Sequence, residues 1–195
     1  MAPIIFLDID GVMIAYPEDG SGNPVFTPRC VAAFRMILAA VPSAKVVFST
    51  TWRLPNYVNR LHEQWLTHGF PLSLAIDGTP DLRQDSSVLR RHQRGLEIQR
   101  WLESNPSATR WVILDDDRMA IEEILDNGRC VFTNPTRGLT DDDGKRVLEI
   151  LMKRSSNGFI ESPSAESKRS PGSQDLAFTP AAHSGVFSMT ISQRL

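Results

Sequence analysis

Two aspartates stand where an apolar run ends: Ile4-Ile5-Phe6-Leu7 leads into Asp8, and Ile9, Asp10 and Gly11 follow. A continuous run of this kind, stopped by a turn residue, reads as a strand buried on both faces of a parallel sheet. Carboxylates at the exit of such a strand are costly. Two like charges about 4 Å apart at an effective dielectric of roughly 20 repel by about 4 kcal/mol. A cation such as Mg²⁺, held by one or two carboxylates and a phosphate oxygen, removes that cost. The alternative is a pair of strand-end aspartates capping backbone amides. Two further segments place polar groups directly after a short apolar run. Ser49-Thr50 follows Lys45-Val46-Val47-Phe48, and Asp115-Asp116-Asp117 follows Trp111-Val112-Ile113-Leu114. Arg94 opens a helical pattern just ahead of the latter.

The elements that must position these groups alternate. Thr27-Pro28 marks a helix start, and Val31, Phe34, Ile37, Leu38 and Val41 continue at helical spacing, predicting a helix over 28–41. The turn-rich stretch between Gly11 and Thr27 leaves Val12-Met13-Ile14 and Val25-Phe26 to pair as a small hairpin flap. After the strand at 45–48, a helix is expected over 56–68, a third strand over 72–76 and a helix over 93–102. The fourth strand, 111–114, is followed by a helix over 119–127 with Asp117 as its N-cap. A fifth strand at 130–132 and a last helix from the Thr140-Asp141-Asp142-Asp143 cap to Lys153 complete the set. Strand, helix, strand with crossovers of this length means a parallel sheet with helices on both faces.

Composition narrows the classes. The 195-residue chain carries a net charge of −2, which gives no global electrostatic case for binding nucleic acid or anionic membranes. Cys30 and Cys130 have no metal-type spacing and read as reduced thiols. The apolar N-terminus is interrupted by Asp8 and Asp10, so neither signal peptide nor anchor is expected. No other run approaches the roughly 20 residues of a membrane span, which points to a soluble, cytoplasmic protein. Ten serines and three prolines fall between 155 and 195, so that region is expected to be a disordered tail behind a domain over 1–154. Its one apolar patch is 185–191.

The motifs together resemble the haloacid dehalogenase-like (HAD) superfamily of phosphotransferases. Asp8-Ile9-Asp10-Gly11 matches its first motif, DxDG after an apolar strand. Ser49, with Thr50 as the adjacent candidate, matches the second; Arg94 before Gly95 the third; Asp115-Asp116 the fourth. Thr-Thr-Trp-Arg at 50–53 and Leu-Asp-Asp-Asp at 114–117 make the chain similar to the small HAD domains associated with RNA-repair proteins. The fold this implies is α/β, a Rossmann-like three-layer sandwich with a central parallel sheet of about five strands. The gaps after the first and second motifs hold no cap domain.

By that resemblance Asp8 is the nucleophile that forms an aspartyl-phosphate, and Asp10 the general acid and base. Ser49 or Thr50 binds the phosphoryl oxygens and Arg94 offsets their charge. Mg²⁺ sits between Asp8, the backbone carbonyl of Asp10 and Asp116, with Asp115 close by. Arg90 and Arg91 compete with Arg94 for the basic role, and Trp52-Arg53 reads as packing plus a surface charge or as a reach toward substrate. The implied activity is a Mg²⁺-dependent phosphatase acting on a phosphomonoester, with nucleotides or polynucleotide ends as the candidate class. Asp115-Asp116-Asp117-Arg118 also looks like the Asp-Asp-Arg of the phosphatase half of polynucleotide kinase-phosphatases, with one extra Asp. Arginines between Arg83 and Arg100 would suit a polynucleotide backbone if they face the site; otherwise they are a solvated loop. The alternative from a different class is a binding or regulatory module that keeps the fold without turnover.

Overall fold

The apolar run at the head of the chain is the middle of the sheet. In this computed structural model, which describes residues 2–16, 24–125 and 128–153, five strands pair: β1 (Ile4–Leu7), β2 (Lys45–Phe48), β3 (Ala75–Gly78), β4 (Trp111–Asp115) and β5 (Cys130–Phe132). Their order is β3-β2-β1-β4-β5, every pairing parallel. Leu7 stands opposite Phe48 on one side and Leu114 on the other. Asp8, Ser49 and Asp115 therefore leave the sheet at one level. Because β4 returns to the far side of β1, strand order reverses between β1 and β4, and the crevice at such a switch is where open α/β sheets bind ligands.

Alternation along the strands builds two cores. Ile5, Leu7, Val46, Phe48, Val112 and Leu114 face one layer. That layer holds α1 (Pro28–Ala40), α2 (Val58–Thr67) and α5 (Asp141–Met152), through Phe34, Trp65 and Val147 among others. Ile4, Phe6, Val47 and Ile113 face α3 (Gln93–Ser104) and α4 (Arg118–Leu125) through Ile98, Trp101 and Ile121. All four side chains of β1 are buried. At roughly 1.5–3 kcal/mol each, they outweigh the repulsion between neighbouring carboxylates at the strand exit, so the fold can carry acids there.

The expected three-layer α/β architecture is the observed one, and among the described residues no cap domain interrupts it. Between β2 and α3 lie only short 3₁₀ turns, α2, β3 and a loop. Several local expectations need correcting. Leu72–Leu74 form a 3₁₀ turn after Pro71, and the third strand starts only at Ala75, with a register shift against β2. Val12-Met13-Ile14 is not a hairpin arm: its three amides converge on the Ile9 carbonyl at 3.3, 2.8 and 3.0 Å. Thr27 precedes α1 as expected, but its Oγ1 accepts from the Ala15 amide (3.0 Å) instead of capping the helix. Asp117 does cap α4, accepting from the Ala120 amide at 3.1 Å. Thr140 and Asp143 form a capping box on α5. The serine-rich tail and its 185–191 patch lie outside the described residues, and among the described residues no helix is long and apolar enough to cross a membrane.

Candidate active site

The three strand exits meet around one guanidinium. Arg94 lies in the first turn of α3, and Gly95 beside it lets that helix close on α4: a Cβ there would stand 2.8 Å from Ile124 Cβ and 3.0 Å from the Ala120 carbonyl oxygen. From this position Arg94 Nη1 reaches Asp8 Oδ2 (2.8 Å), Asp115 Oδ2 (3.2 Å) and the Ser49 carbonyl. Arg90 and Arg91 make no such contact. Asp8 also accepts from the Ile9 amide (2.8 Å) and from the Thr50 hydroxyl. Asp115 Oδ1 accepts from the Asp117 amide at 2.9 Å.

The turn after Asp10 brings in the third acid. Gly11 has φ +69°, and a Cβ on it would lie 2.3 Å from Asp116 Oδ2. Only glycine fits both the left-handed backbone and that approach. The Thr133 hydroxyl donates to the Gly11 carbonyl (2.8 Å) and ties this turn to the end of β5. Asp8, Asp115 and Asp116 thereby offer carboxylate oxygens within 4.8 Å of one another.

One arginine does not balance three acids. Burial raises the pKa of Asp8, against the opposing pull of Arg94. Burial and then the Asp8 charge push Asp115 well above the usual carboxylate range. The half-buried Asp116 is raised to about 6 by the same two causes. Burial works against the charge of Arg94, yet Asp115 and Asp8 outweigh it and hold its pKa above the ordinary arginine value. The excess negative charge and convergent oxygens suit a divalent cation that prefers oxygen ligands.

Asp10 stands apart from this cluster. Its carboxylate accepts from Trp52 Nε1 (2.9 Å) and from the Tyr16 hydroxyl. Trp52 is buried as packing required, but it also orients Asp10, and nothing in the sequence marks Tyr16. Arg53 is not a surface charge. Its side chain is buried against Glu97 (2.7 Å) and donates to the carbonyls of Thr50, Thr79 and Pro80. The two hydroxyl candidates separate in their surroundings: Thr50 bonds Asp8 and accepts from the Trp52 amide (3.3 Å), whereas the buried Ser49 Oγ has no partner among the described residues.

This constellation on a capless parallel sheet has a family counterpart. The family described as the HAD domain in Swiss Army Knife RNA repair proteins matches residues 4–143. The chain belongs to that family. Its matched segment runs from β1 into the first turn of α5 and contains every strand exit described above, which makes this a HAD-type domain of the hydrolase superfamily. No curated protein matches the chain closely. The HAD family generally uses Mg²⁺, and Asp8, Asp115 and Asp116, with Gly11 leaving room at Asp116, fit such an ion.

Proposed function

We propose that this HAD domain hydrolyses a phosphomonoester through an aspartyl-phosphate on Asp8, and that the activity depends on Mg²⁺. The observation that carries the reading is the single guanidinium of Arg94 shared by Asp8 and Asp115 (2.8 and 3.2 Å), with Asp116 completing a three-carboxylate cluster. A carboxylate in this setting is oriented by fixed donors and kept next to a positive charge that a transferring phosphoryl group would share.

In the proposed mechanism an Asp8 oxygen attacks phosphorus and the bond to the leaving oxygen breaks. Asp10 gives that oxygen its proton. Asp10 then takes a proton from water, the water oxygen attacks phosphorus, and the bond to Asp8 breaks to release orthophosphate. Arg94 stays on the equatorial oxygens through both steps. Thr50 holds Asp8, and Ser49 Oγ, buried without a partner among the described residues, is the hydroxyl left to donate to a phosphoryl oxygen. Mg²⁺, held by Asp8 and Asp116 with the backbone carbonyl of Asp10 and with Asp115 close by, would supply the charge that stabilises the transferring group. The family's association with RNA repair supports a nucleotide or a polynucleotide end as substrate. The boundary of the catalytic domain is proposed at residue 154, just after α5.

A screen of nucleotides, 3′- and 5′-phosphorylated oligonucleotides, sugar phosphates, phosphopeptides and a generic aryl phosphate tests this. Hydrolysis should appear with Mg²⁺ and vanish on chelation and in Asp8→Asn. Full activity in Asp8→Asn would sink the mechanism. Metal-dependent binding of phosphorylated ligands without any turnover would favour a non-catalytic module.

A further inference from the structure

Beside the Asp8 site runs a cleft of about 180 Å³ lined by Arg53, Arg83, Arg90 and Arg94, with Thr51 and Gln93. It is below the roughly 300 Å³ that encloses a whole small molecule and equals about six water volumes at roughly 30 Å³ each. Such a cleft takes one group of a ligand whose remainder lies outside. Its walls are basic, and their charges are committed unequally. Arg94 is spent on Asp8 and Asp115, and Arg53 on Glu97 and three backbone carbonyls. Arg83 makes two 2.9 Å bonds to Asp81. The side chain of Arg90, exposed in the 3₁₀ turn just before α3, carries no hydrogen bond or ion pair among the described residues. The two acids on the wall are already used, Glu97 by Arg53 and Asp117 by the α4 amide.

A free arginine in a small basic cleft that shares Arg94 with the reacting carboxylate has one evident ligand chemistry. We propose that this cleft is a second phosphate subsite, in which Arg90 binds the phosphate one nucleotide away from the phosphoryl group on Asp8. This deepens the phosphatase reading and rests on it for the identity of the first site. It turns selectivity into a property of the second phosphate: a strand end, or a nucleoside 3′,5′-bisphosphate, is preferred over a nucleoside monophosphate. Guanidinium geometry suits a bidentate grip on that group.

Two arms test it with the full chain and Mg²⁺. In the first, kcat/KM is measured for a nucleoside 3′,5′-bisphosphate against the matching 3′- and 5′-monophosphates. The bisphosphate should be favoured by about tenfold, as expected of one charge-assisted contact, and Arg90→Gln should abolish the preference. Lys45→Gln, at the opposite end of β2, should retain it. In the second arm, calorimetry follows binding of the bisphosphate and of a 5′-phosphorylated trinucleotide to Asp8→Asn across salt concentrations. Adding Arg90→Gln should lower the slope of log K against log salt by about 0.7 for the lost phosphate contact. Tighter binding of the trinucleotide assigns the subsite to a strand, and equal binding assigns it to a free bisphosphate; either supports the proposal. Equal kcat/KM for mono- and bisphosphate, or a salt slope indifferent to Arg90, overturns it. If the wild type hydrolyses no phosphomonoester, the phosphatase reading fails while the binding arm still decides the subsite.

Discussion

Arg53 and Arg94 both bring a guanidinium to carboxylates near the carboxyl ends of the strands, yet they stand in opposite electrostatic situations. Arg53 meets one acid, Glu97, and three more of its donors are taken by carbonyl oxygens. Glu97 in turn accepts from the Leu82 amide (3.1 Å) and Gln93 Nε2 (2.8 Å). The charges pair, and the unit clamps residues 79–82 onto α3. Arg94 meets two acids and leaves a third, Asp116, without a cation of its own among the described residues. A saturated pair holds structure. An unsaturated one is costly alone and becomes favourable only when positive charge arrives, which is the behaviour expected of a site.

Three changes probe that contrast, beginning with the largest. Glu97→Ala should cost about 3–5 kcal/mol in a urea titration, because it leaves Arg53 buried without its partner. A cost under 1 kcal/mol would make the two arginines more alike than their surroundings imply. Gly11→Ala should cost about 1–2 kcal/mol from its left-handed backbone and, by displacing Asp116, should weaken Mg²⁺ binding at least tenfold in calorimetry. The smallest effect is a pH dependence. Asp116 titrates near 6, above its ordinary 3.8, so its protonated form favours the folded state. That contribution is fully present below the ordinary value and is lost as pH rises through about 6. The metal-free melting temperature should therefore fall between pH 5 and 7, Mg²⁺ should restore it at pH 7 and do little at pH 5, and Asp116→Asn should reduce both responses to the part that Asp8 and Asp115 contribute.

Much of this arrangement is legible in the residues. β1 and β4 are apolar on both faces and stop at acids, so their positions follow from pattern; that Asp8, Asp115 and Asp116 share one site is what the family resemblance implies, and the pairing of β4 with β1 brings the three together. β3 is misread because it is a half-exposed edge strand, and the apolar residues just before it, Leu72 and Leu74, are drawn into a 3₁₀ turn after Pro71. The partners of Asp10 are invisible in sequence for a different reason. Trp52 lies 42 residues away and Tyr16 sits in a loop with no periodicity, so only the folded turn after Gly11 brings them together. The same holds for Arg53 and Glu97, 44 residues apart. Sequence pattern locates strand exits; it does not reveal which long-range pair is saturated.

The central claim, that the Asp8 carboxylate accepts a phosphoryl group, is tested most directly with beryllium trifluoride, which forms a phosphoryl-like adduct on a nucleophilic aspartate. Fluorine NMR of the full chain with Mg²⁺ should show bound-state resonances that disappear in Asp8→Asn and on chelation. Resonances that persist in Asp8→Asn, or no adduct in the wild type, would contradict the account.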